Sequence, residues 1–205
     1  MYKYSTEEAI NMYMHNYYLI QEDELRNNQL NLEFDPNIPC TIYFIATRPR
    51  LIIDVSYLKY DDVEIELRFY AQIKTEKASI FITIPNKYKF KKIKINSDFP
   101  FNEFYLINEL DEKFAGGKVC HFVDKFRNFT EESEFFDLEV LYIGQSLDVK
   151  DETPLKNRLL NHSRLQEINS VITKKNPDKE VFIILASFNQ TNIVHSPHKA
   201  LTDEN

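Results

Sequence analysis

The amino-acid sequence predicts an α+β protein, with an N-terminal helix plus an antiparallel β-sheet domain, followed by a small α/β domain. Three observations predict it: helical spacing near the N-terminus, period-two segments from Cys40 to Ile95, and a strand–strand–helix–strand order after Gly116-Gly117. A hydrophobic content of 43% over 205 residues is enough for a buried core. We expect an accessory domain at residues 1–115 and a second domain at residues 116–205.

The N-terminal segment has the features of a helix start. Ser5-Thr6-Glu7-Glu8 forms a capping box, in which Ser5 and Glu8 can each bond the other's backbone amide. Apolar residues then recur at helical spacing: Ile10, Met14, Tyr17, Tyr18 and Leu25. This pattern predicts a helix from about residue 6 to about residue 25.

The middle of the chain alternates with a period of two. Five segments rich in Ile, Val, Phe and Tyr predict strands: Thr41–Ala46, Leu51–Leu58, Val63–Ile73, Ser79–Ile84 and Tyr88–Ile95. Short connections between them indicate an antiparallel meander. In the last segment lysines alternate with aromatic residues, which leaves two interpretations open. It is either a strand that follows phosphates while its aromatic rings stack on bases, or a lysine-protected edge strand.

The C-terminal segment predicts two strands, a helix and a third strand. The strands are Lys118–Asp124, Leu138–Gly144 and Glu180–Phe188. Thr153-Pro154 suits a helix start, with Thr at the N-cap and Pro at the first helical position, so the helix should reach about Thr173. Residues 189–205 are polar and show no period.

Arg158 lies at an unusual position on the predicted helix. At about 100° per residue, it falls in the middle of an apolar arc formed by Leu155, Leu159, Leu165, Ile168 and Ile172. His162 lies about 40° away on the same arc. Burying an unpaired guanidinium is costly, so Arg158 needs a carboxylate, a route to solvent or a ligand. The alternatives are an arginine that extends past the sheet edge and a packed histidine.

One stretch of this segment resembles a known family. Tyr142-Ile143-Gly144 is followed by Gln145-Ser146 and by a helix that carries Arg158, and Gly144 is one of only three glycines in the chain. The strand, the helical arginine with His162 after it, and the strand Glu180–Phe188 together resemble the second half of the GIY-YIG nuclease core. The resemblance covers roughly residues 118–188. In the first-motif position the best candidate is Val119-Cys120-His121, with His121 in place of the tyrosine.

The resemblance implies a β-β-α-β fold and a metal-dependent DNA endonuclease that hydrolyses phosphodiester bonds. It implies catalytic roles for Tyr142, Arg158, His121 and His162, and substrate binding by Gly144, Gln145, Ser146 and Lys156. It also implies a divalent ion, Mg2+ or Mn2+, held by a glutamate on a further helix. We expect His121, Tyr142, Arg158 and His162 to converge at one end of the sheet.

Two departures from the family pattern keep a second function open. The first motif is altered, and the chain stops at Asp203-Glu204-Asn205, about where the glutamate-bearing helix would begin, so we expect an incomplete domain. The metal ligands stay unassigned. The alternative is a catalytically inactive GIY-YIG-like module that binds protein or nucleic acid. DNA is the expected partner of an active form, and the N-terminal sheet could bind a protein.

Charge and cysteine content restrict the class of protein. The formal net charge is −7, which counts against strong non-specific binding to nucleic acid, although a local basic site is compatible with it. Cys40 and Cys120 form no disulfide framework, and the N-terminus lacks an apolar signal core. No apolar run approaches the length of a membrane span. We therefore expect a reduced, cytoplasmic protein without a membrane partner.

Overall fold

The computed structural model describes residues 7–26, 40–126, 133–145, 159 and 163–195. These residues form ten strands: β1 (Glu7–Ile20), β2 (Cys40–Pro49), β3 (Leu51–Tyr60), β4 (Glu64–Ile73), β5 (Glu76–Pro85), β6 (Lys94–Asn96), β7 (Glu103–Ile107), β8 (Lys113–Lys118), β9 (Glu139–Gln145) and β10 (Lys179–His195). The helices in the same residues are α1 (Glu22–Arg26), α2 (Val119–Phe126), α3 (Ser163–Lys175) and a 3-10 turn at Ser133–Phe136.

The fold is dominated by antiparallel sheets, so the predicted α+β class was wrong. The expected N-terminal helix is the long strand β1, followed by the five-residue helix α1. β1 pairs antiparallel with β10 from Glu7 opposite His195 to Ile20 opposite Ile183. Pairing with a segment distant in sequence therefore outweighs the local capping signal, and the tyrosines and isoleucines of β1 suit a strand at least as well as a helix.

Three sheets organise the described residues. Their strand orders are β1-β10-β2-β9, β3-β4-β5 and β6-β7-β8. The meander prediction was right for β3, β4 and β5, which pair antiparallel in sequence order. On β4 the residues Ile65, Leu67, Phe69 and Ala71 are fully buried while their neighbours are not, which is the period-two pattern of a sheet with one face in the core.

The predicted strand Tyr88–Ile95 was wrong, because only Lys94–Asn96 is extended in a sheet. The Asn86 side chain accepts a bond from the Phe90 amide at 3.0 Å and donates to the carbonyl oxygens of Asp61 and Phe90. Lys89 has a φ of 53°. This turn, held by one asparagine, leaves the lysine-rich segment without a ladder of backbone hydrogen bonds, so both interpretations that required a strand fail.

The segment Lys118–Asp124 was predicted as a strand and is mostly helix. β8 ends at Lys118, and α2 begins at Val119. Val119, Phe122, Val123 and Phe126 recur at i, i+3, i+4 and i+7, and they pack into the core beside Phe69 and Phe104. The ring centroids of Phe104 and Phe122 are 4.9 Å apart. The helical period of these residues decides the local structure.

Tertiary contacts divide the chain into two compact units. The first unit collects the described residues within Met1–Ile45, Tyr142–Asn161 and Ile183–Asn205, and the second unit those within Ala46–Leu141 and His162–Phe182. Each unit is therefore assembled from separate stretches of sequence. Gly116 and Gly117, where we expected a domain boundary, lie inside β8.

The remaining predicted elements can be placed individually. Leu138–Gly144 and Glu180–Phe188 are confirmed as strands β9 and β10, although β10 continues to His195 into the segment predicted to lack regular structure. The predicted helix is confirmed over Ser163–Lys175, and its first residues lie outside the described part. Among the described residues, no helix has the length and apolar character needed to cross a membrane.

Candidate functional site

β9 lies at the edge of its sheet and carries Tyr142-Ile143-Gly144, the stretch that resembles the second family motif. The strand order places β9 beside β2, so its neighbour is not the segment around His121. Tyr142 is half-buried, Gly144 is buried, and Gln145 is exposed at the end of the strand. Tyr142, Gly144 and Gln145 therefore lie on one short strand, as the sequence predicts, with the buried glycine between two larger residues.

Gly144 is needed because a tyrosine ring occupies the space that a side chain would take. A Cβ atom on Gly144 would lie 2.0 Å from Cζ and 2.2 Å from the hydroxyl oxygen of Tyr43. Tyr43 is only 4% exposed, so its ring cannot swing away into solvent. The rings of Tyr43 and Tyr142 have centroids 6.1 Å apart and planes inclined by 40°. Gly144 thus permits a paired arrangement of the two tyrosines, which is a close approach of the kind that glycine allows.

Sequence reasoning missed Tyr43. It lies on β2 in the run Thr41-Ile42-Tyr43, whose last two letters match the Gly-Ile-Tyr motif. The Ile-Tyr pair is visible in the sequence, but it lies about a hundred residues before Tyr142, whereas Val119-Cys120-His121 lies closer along the chain. Val119-Cys120-His121 begins helix α2, and His121 is half-buried on that helix.

Four predicted site residues lie outside the described residues: Arg158, His162, Ser146 and Lys156. The convergence of Arg158 and His162 with Tyr142 therefore stays a prediction. The apolar face of the same helical segment is confirmed where it is described, since Leu159, Leu165 and Ile172 are buried.

The described residues do not form a magnesium or manganese site. Within residues 7–26, 40–126, 133–145 and 163–195, no group of three or more His, Cys, Asp or Glu side chains is arranged to hold a metal ion. Mg2+ and Mn2+ prefer several oxygen ligands, carboxylates above all. The described residues therefore do not fit the ion that the family resemblance implies.

Arg48 has the largest fully buried side chain among the described residues, and that side chain is charged. Its guanidinium donates to Asp124 Oδ1 at 2.6 Å, to the Cys120 carbonyl at 3.1 Å and to Glu180 Oε1 at 3.4 Å. The Phe182 ring lies under it at 4.6 Å. Burial lowers the pKa of Arg48, but Asp124 and Glu180 more than compensate and raise it, so the group stays charged. Because the guanidinium is enclosed, we assign it to holding β2, α2 and β10 together.

A second polar cluster lies on the outer face of the β3-β4-β5 sheet. Asp54 accepts hydrogen bonds from Arg68 at 2.7 Å, from Tyr70 at 2.9 Å and from the amide and hydroxyl of Ser56. The Arg68 guanidinium lies 4.5 Å from the Tyr57 ring centroid. Both charges here have an internal partner, and the contacts of Arg68 and Tyr70 with β3 are cross-strand contacts that stabilise the sheet.

Comparisons with protein-family models, with curated proteins and with solved structures each found no match.

Proposed function

We propose that this chain is a GIY-YIG-like nuclease that hydrolyses phosphodiester bonds in DNA, with Tyr43 and Tyr142 as its paired motif tyrosines. One observation carries the proposal. The two rings lie 6.1 Å apart on hydrogen-bonded neighbouring strands, and Gly144 leaves the space that the Tyr43 ring fills. The resemblance implies two adjacent motif strands, and β2 and β9 are adjacent.

The proposal gives the first-motif role to Tyr43 instead of His121. Ile42-Tyr43 lies on the strand beside β9, whereas His121 lies on a helix of the second unit. On this interpretation residues 46–141 interrupt the core between its two motif strands. A long insertion is tolerated thermodynamically because the entropy cost of closing a loop grows only slowly with its length.

The proposed chemistry assigns roles to side chains of this chain only. The hydroxyl group of Tyr142, on a half-buried side chain, would orient the attacking water, and the buried Tyr43 would hold Tyr142 in position. Arg158, outside the described residues, would stabilise the charge that develops on the phosphate through a forked contact. The dependence on Mg2+ or Mn2+ stays an expectation of the resemblance, and no step is assigned to an ion.

The proposal also places the protein in the cytoplasm. Its support is that Cys40 and Cys120 form no disulfide and are both buried. Burial raises the pKa of the Cys40 thiol to about 11, which makes it unreactive at neutral pH. Free structural thiols are typical of reducing compartments. Fractionation of cells that express the full chain tests this part, and recovery in a membrane or secreted fraction would count against it.

Cleavage and binding should be measured together to test the function. Labelled duplex and branched DNA would be incubated with the full chain in Mg2+, Mn2+ or a chelator. We expect cleavage that falls by about 100-fold or more in Tyr142→Phe and Arg158→Ala, in line with the loss of an acid–base or charge-stabilising group, and the chelator shows whether a metal ion is needed. Tyr88→Phe is the matched control, since Tyr88 is 74% exposed and belongs to the second unit.

Each outcome has a defined meaning. DNA binding without cleavage in either metal would favour the inactive module over the nuclease. A chain that neither binds nor cleaves DNA would overturn the proposal altogether. Equal loss of activity in Tyr88→Phe and Tyr142→Phe would show that the tyrosine pair has no special role.

A further inference from the structure

β1 forms one edge of the four-stranded sheet of the first unit. The strand order begins with β1, and β10 is its single hydrogen-bonded neighbour within the described residues. An edge strand presents a row of backbone N–H and C=O groups that can pair with another strand. β1 is fourteen residues long, so this row is unusually extended for an edge.

The part of β1 that begins at Asn11 lacks the charges that normally protect an edge strand. From Asn11 to Gln21 the sequence contains no Asp, Glu, Lys or Arg. Met12, Tyr13, Met14 and Tyr17 are each 51–58% exposed. Because successive side chains of a strand point to opposite faces, apolar groups are exposed on both sides of this edge. The register shift between Met14 and Asn16 is a single irregularity, and it leaves Asn11–Met14 regularly paired with β10.

We propose that β1 pairs with β1 of a second copy of this chain, antiparallel about a two-fold axis near Met12. A two-fold axis makes the two surfaces identical, which an antiparallel pair of the same strand satisfies. In this register Glu7 and Glu8 lie opposite Tyr17 and Asn16 of the second copy, so the acidic residues avoid one another. A parallel pair would instead align each glutamate with its own copy, at a cost from like charges.

The available area predicts a weak dimer. Half-exposed side chains of this size each expose on the order of 100 Å2, so the four together bury at most roughly 400 Å2 per copy. From these side chains the two copies bury at most about 800 Å2, which is below the lower end of about 1,200 Å2 for stable interfaces. We therefore expect a dissociation constant in the micromolar range, around 1–100 µM.

Sedimentation velocity of the full chain across that concentration range tests the proposal. We expect monomer below about 1 µM and dimer near 100 µM. The double variant Met12→Lys with Met14→Lys should stay monomeric, because it brings like charges together near the axis. Val63→Lys is the matched control: Val63 is 72% exposed, lies outside β1, and its variant should dimerise like the wild type. Circular dichroism would confirm that each variant is folded.

A cross-link identifies the surface directly. Met12→Cys should form a disulfide-linked dimer under mild oxidation, whereas the wild type should not, since Cys40 and Cys120 are buried. A monomer at every concentration, or a dimer that survives in the double-lysine variant, would overturn the proposal. DNA cleavage plays no part in these readouts, so they are independent of the proposed nuclease function.

Discussion

At the scale of single residues, Gly144 is the position where sequence and structure agree most closely. The sequence marks it because glycine is rare in this chain and ends an apolar run. What the sequence does not show is the group that approaches it, since Tyr43 is about a hundred residues away along the chain. A contact between residues so distant cannot be derived from local periodicity.

Gly144→Ala should destabilise the first unit. The new methyl group would lie 2.0 Å from Tyr43 Cζ, and the buried ring has to shift to accept it. Overpacking of this kind costs about 1–3 kcal/mol, measurable as a lower urea midpoint. In a Tyr43→Ala background the same change should cost much less, because the clash is gone. An equal cost in both backgrounds would contradict the contact.

Asp54 should make stability depend on pH in a narrow acidic window. Burial raises its pKa, but hydrogen bonds from Ser56, Tyr70 and Arg68 outweigh burial and lower it from 3.8 to about 2. A carboxyl group whose pKa is lower in the folded than in the unfolded state stabilises the folded state fully at pH values above its unfolded pKa. That stability is lost as pH falls from about 4 to about 2, and it amounts to about 1–2 kcal/mol because solvent screens part of these interactions.

Urea unfolding between pH 5 and pH 2 measures this contribution. In Asp54→Asn the midpoint should be lower at pH 5, and the part of the acid dependence that belongs to Asp54 should disappear. Parallel curves for the wild type and the variant through this window would show that Asp54 is not the group responsible.

At the scale of elements, the period of apolar residues predicts structure where one period dominates. β4 alternates cleanly and its prediction as a strand is confirmed, whereas the helical period of α2 lies in a segment that was predicted as a strand. The prediction of a helix at β1 was wrong for another reason: the partner strand β10 is about 170 residues away, and the tyrosines of β1 fit either structure.

Arg48 ties three of these elements together, and its removal should be costly. Arg48→Ala leaves Asp124 and the largely buried Glu180 without their shared cation, and losing one partner of a buried network typically costs about 3–5 kcal/mol. Arg164→Ala is the matched control. Its pair with Glu167 is more than half exposed on both sides, so its loss should cost about 0.5 kcal/mol or less.

Denaturant unfolding of the two arginine variants, monitored by far-UV circular dichroism, compares their stabilities directly. The Arg48→Ala midpoint should fall well below that of Arg164→Ala. Similar midpoints for the two variants would mean that the buried network contributes no more than a surface pair.

At the scale of the whole molecule, the chain order conceals which strands are neighbours. β2 and β9 are separated by the residues of the second unit and yet lie side by side. The sequence therefore predicted one half of the candidate site, Tyr142 with Gly144, and misplaced the other half at His121. Long-range pairing of strands is the feature that a single sequence specifies least directly, because many registers satisfy the same alternating pattern.

The most direct test of the account compares two variants in a single-turnover DNA cleavage assay. Tyr43→Ala removes the ring that packs beside Tyr142, whereas His121→Ala removes the alternative first-motif residue, and circular dichroism checks that both variants are folded. We predict that cleavage falls by about 100-fold or more in Tyr43→Ala, because Tyr142 loses the ring that positions it, and keeps the wild-type rate in His121→Ala. Loss of cleavage in His121→Ala with full activity in Tyr43→Ala would contradict the assignment of Tyr43.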